Sequence, residues 1–285
     1  MVQSTDVVVL VVGLSSSDEG EGHDRISLTY PGNQSALIEK VAAAGSEQRK
    51  PVVVVTMGGG PVDLTAVKSN PNIGAIIWCG YPGMEGGNAI ADAVFGVTNA
   101  WGRLTQTWYA EEFVNETLMT DFHMRPNSTS GYPGRTYRFY TGSPVYKFGD
   151  GLTYTNFESH LTVPSTVSLG RVSNDLSSRP LRRDALVVAR ANVTVVNTGN
   201  RDGDEVMMLF ASPPSPGLGG APLRHLVDFK RVHVPVGDIV SAQFDLRSVH
   251  FSFADAEGHR ITQDGEWKFW IGSRGEANAH SVMLR

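Results

Sequence analysis

The sequence predicts an α/β unit followed by an all-β unit: an incomplete parallel-sheet α/β sandwich, then a β-sandwich. Two observations predict it. Val7–Val12, Val52–Val55 and Ile73–Cys79 are apolar runs without alternation, and helical patterns separate them. Such runs describe strands buried on both faces, as in a parallel sheet. Beyond Gly151 the pattern changes to short alternating or apolar runs at 186–196, 205–211, 226–234, 239–246, 249–253 and 266–272. Turn signals part them, among them Asn197-Thr198-Gly199-Asn200, Pro213-Pro214-Ser215-Pro216-Gly217 and Asp264-Gly265. Spacing of that kind is expected of an immunoglobulin- or fibronectin-like sandwich.

In order, the first strand ends at Gly13 and opens into a loop holding four acids, a histidine and an arginine between Asp18 and Arg25. Leu37, Ile38, Val41 and Ala44 share one helical face, and Gly45 is expected to stop that helix. The second strand ends in Gly58-Gly59-Gly60, after which Pro61 is placed to open a short helix. The third strand leads through Gly80-Tyr81-Pro82-Gly83 to a helix from Glu85 to Phe95, closed by Gly96. Three strands make a thin sheet, and a first strand buried on both faces at a sheet edge would want a neighbour. Residues 111–151 carry aromatics and arginines without periodicity and are expected to form an irregular strap between a 1–110 domain and a 152–285 domain. Its rings and arginines suit either sugar stacking or packing between domains. A flexible excursion is expected at about 163–184, where Ser, Arg and Pro are frequent.

Composition narrows the function. The 285 residues suffice for two cores, 31 glycines point to tight turns, and a net charge of -5 speaks against a nucleic-acid or anionic-membrane partner. No apolar run approaches the ~20 residues that span a bilayer. The single Cys79 rules out an internal disulfide and is expected to be a buried structural thiol. No positively charged leader precedes the first strand, and the abrupt entry into it leads us to expect the tail of something longer. The eight histidines are scattered without metal-ligand spacing, so no metal is expected. Gly58-Gly59-Gly60 could cradle a phosphate, but no nucleotide-binding motif accompanies it, and no cofactor is expected.

The acidic loop remains. Ligands of open α/β sheets bind beyond the carboxyl ends of the strands, which is where this loop starts. Glu19 and Glu21 lie close enough for one charge to raise the other's pKa, a condition for a general acid near neutral pH. Glycosidic cleavage needs two carboxyl groups on opposite sides of the bond, so this loop could supply one and the second must come from elsewhere. The plain alternative is a solvated acidic loop.

Glu19-x-Glu21-Gly22-x-Asp24-Arg25-x-x-Leu28-x-x-Pro31-Gly32 resembles the second domain of glycoside hydrolase family 3, particularly its β-xylosidase branch. So do Gly59-Gly60-Pro61-Val62-Asp63, Trp78-x-Gly80-Tyr81-Pro82-Gly83, Gly102-Arg103-Leu104, Pro133-Gly134-Arg135-Thr136-Tyr137 and Phe148-Gly149-x-Gly151-Leu152. Val195-x-Asn197-Thr198-Gly199 and Leu226-x-x-Phe229-Lys230-Arg231-Val232 echo the family's fibronectin type III-like domain. One departure is Asn99-Ala100-Trp101, where the family has Asn-Pro.

The resemblance implies a retaining exo-acting hydrolase of β-xylosides and xylooligosaccharides, working outside the cell or in the cell wall. It implies a separate N-terminal (β/α)8 barrel, missing here, that bears the nucleophilic aspartate. Glu19 is the favoured acid/base, Glu21 the alternative, while Asp24 and Arg25 brace the loop or line the sugar site. The chain by itself is expected to be inactive. The competing expectation is a truncated, non-catalytic sugar-binding or scaffold module.

Overall fold

The computed structural model describes residues 5–169, 186–255 and 257–285. They form two compact units interleaved along the chain. The first takes Met1–Phe95, Gln106–Phe122 and Gly142–Tyr146, and the second takes Gly96–Thr105, His123–Thr141 and Lys147–Arg285. The segment expected to be a strap is therefore divided between the two units. The expected excursion lies outside the described residues from 170 onward.

In the first unit β1 (Val8–Gly13), α1 (Gln34–Glu47), β2 (Val52–Met57), α2 (Thr65–Ser69), β3 (Ala75–Trp78) and α3 (Gly86–Val94) alternate, and α4 (Phe113–Glu116) follows. The three strands are parallel in the order β1-β2-β3, with Val8 opposite Val52 and Val53 opposite Ala75. Central β2 is the doubly buried strand, with Val52, Val54 and Val55 wholly inaccessible. The same expectation for β1 is corrected: it lies at the edge, and its Val9 and Val11 are exposed while Val12 is buried.

Two helix boundaries also move. Gly45 does not stop α1 but lies inside it, where a Cβ would come within 2.4 Å of Val52 Cγ2. Its missing side chain lets the helix close onto β2. Pro61 precedes α2 by a loop, and the helix begins at Thr65, whose amide is taken by Asp63 Oδ1 at 2.8 Å. Cys79 is half-buried, and burial pushes its thiol pKa up, which suits an inert thiol.

The second unit carries α5 (Thr136–Phe139) and strands β4 (Phe157–Thr162), β5 (Thr166–Val167), β6 (Val187–Asn197), β7 (Gly203–Ser212), β8 (His225–Val234), β9 (Ile239–Arg247), β10 (Ser252–Ala254), β11 (Arg260–Thr262), β12 (Gly265–Ile271) and β13 (His280–Leu284). Sheets ordered β5-β13-β12-β7-β8 and β4-β6-β9 make the sandwich, and β10-β11 is a separate hairpin. The run at 249–253 divides into a 3₁₀ turn, Ser248–Phe251, and β10. Period-two alternation turns Ala191, Val193 and Val195 of β6 inward against Met207, Phe244, Trp267 and Phe269. Buried Asn197 ends β6 with its amide fully used: Nδ2 donates to the carbonyls of Arg201 and Val234, and Oδ1 accepts from Thr155 Oγ1 and the Gly199 amide.

Arg125 and Tyr137 of the aperiodic stretch have structural partners within this unit. Arg125 donates to the carbonyls of Gly220, Ala254 and Asp255, and Tyr137 stacks on Phe148 at 4.2 Å. Asn99 accepts from Thr153 Oγ1 and the Tyr154 amide and donates to the Asp202 carbonyl.

His225 at the start of β8 has both ring nitrogens shut off from solvent. Burial, with Arg138 and His250 adding to it, pushes its pKa down to about 3. The unfolded chain binds a proton below about pH 6.5 that the folded unit refuses, so stability is full above that pH and is lost as pH falls toward 3. One such group contributes a slope of at most about 1.4 kcal/mol per pH unit. Urea unfolding between pH 7 and 4 checks this, and His225→Phe should flatten that part of the curve.

Candidate active site

β1 finishes in Gly13 at φ +144°, and Gly58 at φ +152° directly follows β2. A Cβ on Gly13 would sit 2.0 Å from the Met57 carbonyl oxygen, so the strands can part there only through glycine. Gln34 completes the strand end, its side-chain amide taking the Gly13 N–H at 2.7 Å and giving to the Gly13 carbonyl at 2.9 Å. The acidic loop begins at this opening.

Asp18 turns the loop first. Its Oδ2 accepts from the Ser15 amide at 2.8 Å and the Ser15 hydroxyl at 2.7 Å, and those bonds hold its carboxyl below the usual range. Next, Gly20 and His23 exchange both backbone hydrogen bonds at 3.0 Å and enclose Glu21 and Gly22 in a tight turn. Gly22 takes φ +76°, the left-handed region the turn requires. This hairpin brings Arg25 back beside Glu19.

Glu19 lies at the carboxyl ends of β1 and β2. Its Oε1 accepts from the Gly59 amide at 2.7 Å, the Gly60 amide at 3.1 Å and the Tyr81 hydroxyl at 2.8 Å. Its Oε2 faces Arg25 Nε at 3.2 Å, in a pair with side chains only 18% and 16% exposed. Arg25 Nη2 is anchored on the Pro61 carbonyl at 2.9 Å. A Cβ on Gly60 would come 2.7 Å from that Nη2 and 3.0 Å from Glu19 Oε2, so any side chain there must push the Glu19–Arg25 pair aside. Gln106 donates to the Gly59 carbonyl, and Trp78 Nε1 donates to the Gly58 carbonyl at 2.9 Å. Further along, Leu28 is tied at both backbone groups: its amide to Glu111 Oε2 at 2.6 Å, its carbonyl to the Asp63 amide at 2.7 Å.

Burial pushes the pKa of Glu19 up, but the Tyr81 hydroxyl, the Gly60 and Gly59 amides and Arg25 outweigh it and hold the carboxyl below its ordinary range. The expectation that Glu21 would raise Glu19 is thereby corrected. Glu21 is exposed at the turn tip, too far into solvent to weigh against donors in direct contact.

Residues 1–154 match the glycosyl hydrolase family 3 C-terminal domain, and residues 205–274 match a fibronectin type III-like domain. The first match covers more than half of the chain. The chain belongs to glycosyl hydrolase family 3. It is 43% identical to "Probable beta-D-xylosidase 6" of Arabidopsis thaliana over 95% of its own length and 36% of that protein's. It is 35% identical to "Exo-1,4-beta-xylosidase xlnD" of Emericella nidulans over 99% of its length and 34% of that protein's. Among solved structures, "GH3 exo-beta-xylosidase (XlnD) in complex with xylobiose aziridine activity based probe" superposes with TM-score 0.87 at 33% identity, covering all of this chain and 36% of that one. The chain thus spans about a third of the length of the relatives it matches.

Within this family 3 domain the four expected site residues separate. Glu19 and Arg25 meet in the crevice, whereas Glu21 and Asp24 are exposed and have no ion pair or side-chain hydrogen bond among the described residues. Arg25 is held by the Pro61 carbonyl and faces Glu19, while Asp24 is exposed. In the sequence Tyr81 stands within the Trp78-x-Gly80-Tyr81-Pro82-Gly83 likeness, with no site role attached to it. The glycine run was weighed as a phosphate cradle, and its amides do hold an anion, namely the chain's own Glu19 carboxylate. Among the described residues no group of three or more His, Cys, Asp or Glu could hold a metal ion, and no helix is long and apolar enough to cross a membrane.

Substituting the two glycines should give different losses. Gly13→Ala meets backbone at a disfavoured φ and should cost about 3 kcal/mol or more. Gly60→Ala meets only side-chain tips and should cost about 1 kcal/mol, while displacing Arg25 and letting the Glu19 pKa rise. Urea unfolding together with NMR titration of the carboxyl checks both.

Proposed function

We propose that this chain is the carboxyl-terminal portion of a retaining, exo-acting β-xylosidase-like hydrolase and that Glu19 is its general acid/base. The observation that carries this reading is the placement of Glu19, alone among the four acids of its loop, at the strand ends with Oε1 held by three donors and Oε2 paired with Arg25. Names of relatives at 35–43% identity support the xyloside class.

In the reaction, a barrel aspartate outside this chain attacks the anomeric carbon while Glu19 protonates the departing oxygen. Glu19, now ionised, then takes a proton from the water that releases the sugar. A retaining pair stands about 5 Å apart, so the aspartate's charge would reach Glu19 and raise its pKa for the acid half of the cycle. Arg25 and the Gly59 and Gly60 amides stabilise the ionised state needed for the base half. Substrates are β-xylosides and xylooligosaccharides of hemicellulose.

We further propose that the protein works outside the cell or in the cell wall. The asparagines of its sequons, Asn33, Asn115, Asn127 and Asn192, are all exposed, which is what glycosylation on a secretory route requires.

The purified 285-residue chain should show no turnover of aryl β-xylosides. Joined behind the N-terminal portion of the Emericella nidulans relative, it should hydrolyse xylobiose. Glu19→Gln should then lower kcat on xylobiose by about 10²–10⁴-fold, with a smaller loss on aryl xylosides whose leaving group needs no proton, and azide should restore turnover. Glu21→Gln should stay near the parent rate. Turnover by the chain alone, or an unimpaired Glu19→Gln protein, would falsify this reading.

A further inference from the structure

Resting on the reading of Glu19 as acid/base, we propose that Tyr81 is its positioning residue: the phenol fixes Oε1, so that the proton exchanged in the reaction is carried by Oε2. Oε1 receives three donors, the Gly59 and Gly60 amides and the Tyr81 hydroxyl. A carboxylate oxygen offers two lone-pair sites, so nothing is left there for a proton. Oε2 has Arg25 Nε at the longer distance of 3.2 Å and keeps acceptor capacity free. The asymmetry decides which oxygen works.

Tyr81 comes from the turn after β3, and Gly80, at φ +63°, lets the chain double back there while its carbonyl takes the Gly58 amide at 3.1 Å. Its ring lies over Gly59, where a Cβ would come 3.2 Å from Cε2, and about half of the residue is exposed. The phenol thus spans from the fixed amides to open solvent. Among the described residues Arg25 and Tyr81 are the titratable groups set against the Glu19 carboxyl, and Asp18 beside it is turned back onto Ser15. The coupling is mutual: burial and the Glu19 carboxylate both push the Tyr81 phenol up.

The test uses the full 285-residue chain labelled with ¹³C at glutamate side-chain carboxyls and at tyrosine Cζ. Tyr81→Phe keeps the ring and removes only the donor, so the Glu19 titration midpoint should move up while the amide spectrum stays folded. In Glu19→Gln the Tyr81 phenol should titrate lower than in the parent chain, an independent measurement that does not need the first variant to fold. In the barrel-joined protein Tyr81→Phe should lower kcat roughly tenfold or more and shift the pH profile, with KM little changed. An unmoved Glu19 midpoint in folded Tyr81→Phe, or an unmoved Tyr81 phenol in Glu19→Gln, overturns the proposal. The acid/base reading fails separately, if Glu19→Gln hydrolyses normally while both titrations shift as described.

Discussion

Two strands that end side by side in a parallel sheet leave backbone N–H groups pointing into the crevice beyond them, and those groups must find acceptors. Here the Gly59 and Gly60 amides find the carboxylate of Glu19, which arrives from the neighbouring strand end. That contact joins the loop after β1 to the loop after β2. A hydrogen bond to an ionised group is roughly twice as strong as a neutral one, and in a half-buried setting each member left unpaired would carry its full desolvation cost. The loop geometry around it follows from satisfying that anion: the turn capped by Asp18, the hairpin that returns Arg25, and the bare glycines that leave room.

The same accounting governs the β-sandwich unit by different means. Its core is apolar, with Trp267, Phe269, Phe244 and Met207 wholly buried, and two of its polar networks sit at strand ends. Asn197 serves the turn after β6. Arg103 and Glu205 form an ion pair at 2.6 Å, although burial raises the Glu205 pKa. For the charged pair, the desolvation of two charges offsets much of their attraction.

Much of this was legible in the residues because it rests on periodicity. Unbroken valine runs announced β2, alternation announced the inward face of β6, and a strand running into an acid-rich loop announced the crevice. What escaped had tertiary causes. Val9 and Val11, two apart on edge strand β1, share a face of the sheet that the described residues leave exposed, which local composition does not encode. Gly45 sits within α1 because of Val52, and a helix scan reads the same glycine as a stop. In the site, Glu19 and Glu21 differ by two positions in one loop, yet backbone pairing between Gly20 and His23 lies between them and sends one inward and the other into water. Tyr81 is 62 residues from Glu19, and only the fold makes them neighbours.

The seat also constrains the proton chemistry. A carboxyl surrounded only by donors is an anion by construction, whereas a general acid must hold a proton when substrate arrives. Among the described residues, partial burial is what pushes against the ionisation of Glu19, and it is outweighed. A single residue that acts first as acid and then as base needs a field that changes sign during the cycle. On the proposed acid/base reading, a negative carboxylate close by, neutralised when it bonds covalently to the sugar, would be such a field: it would raise the Glu19 pKa before glycosylation and release it afterwards. On that proposal the donors around Glu19 would define the lower state of the alternation, and the nucleophilic carboxylate would define the upper one. On this view the low pKa of Glu19 in the chain as it stands is what half of a two-carboxylate site should have.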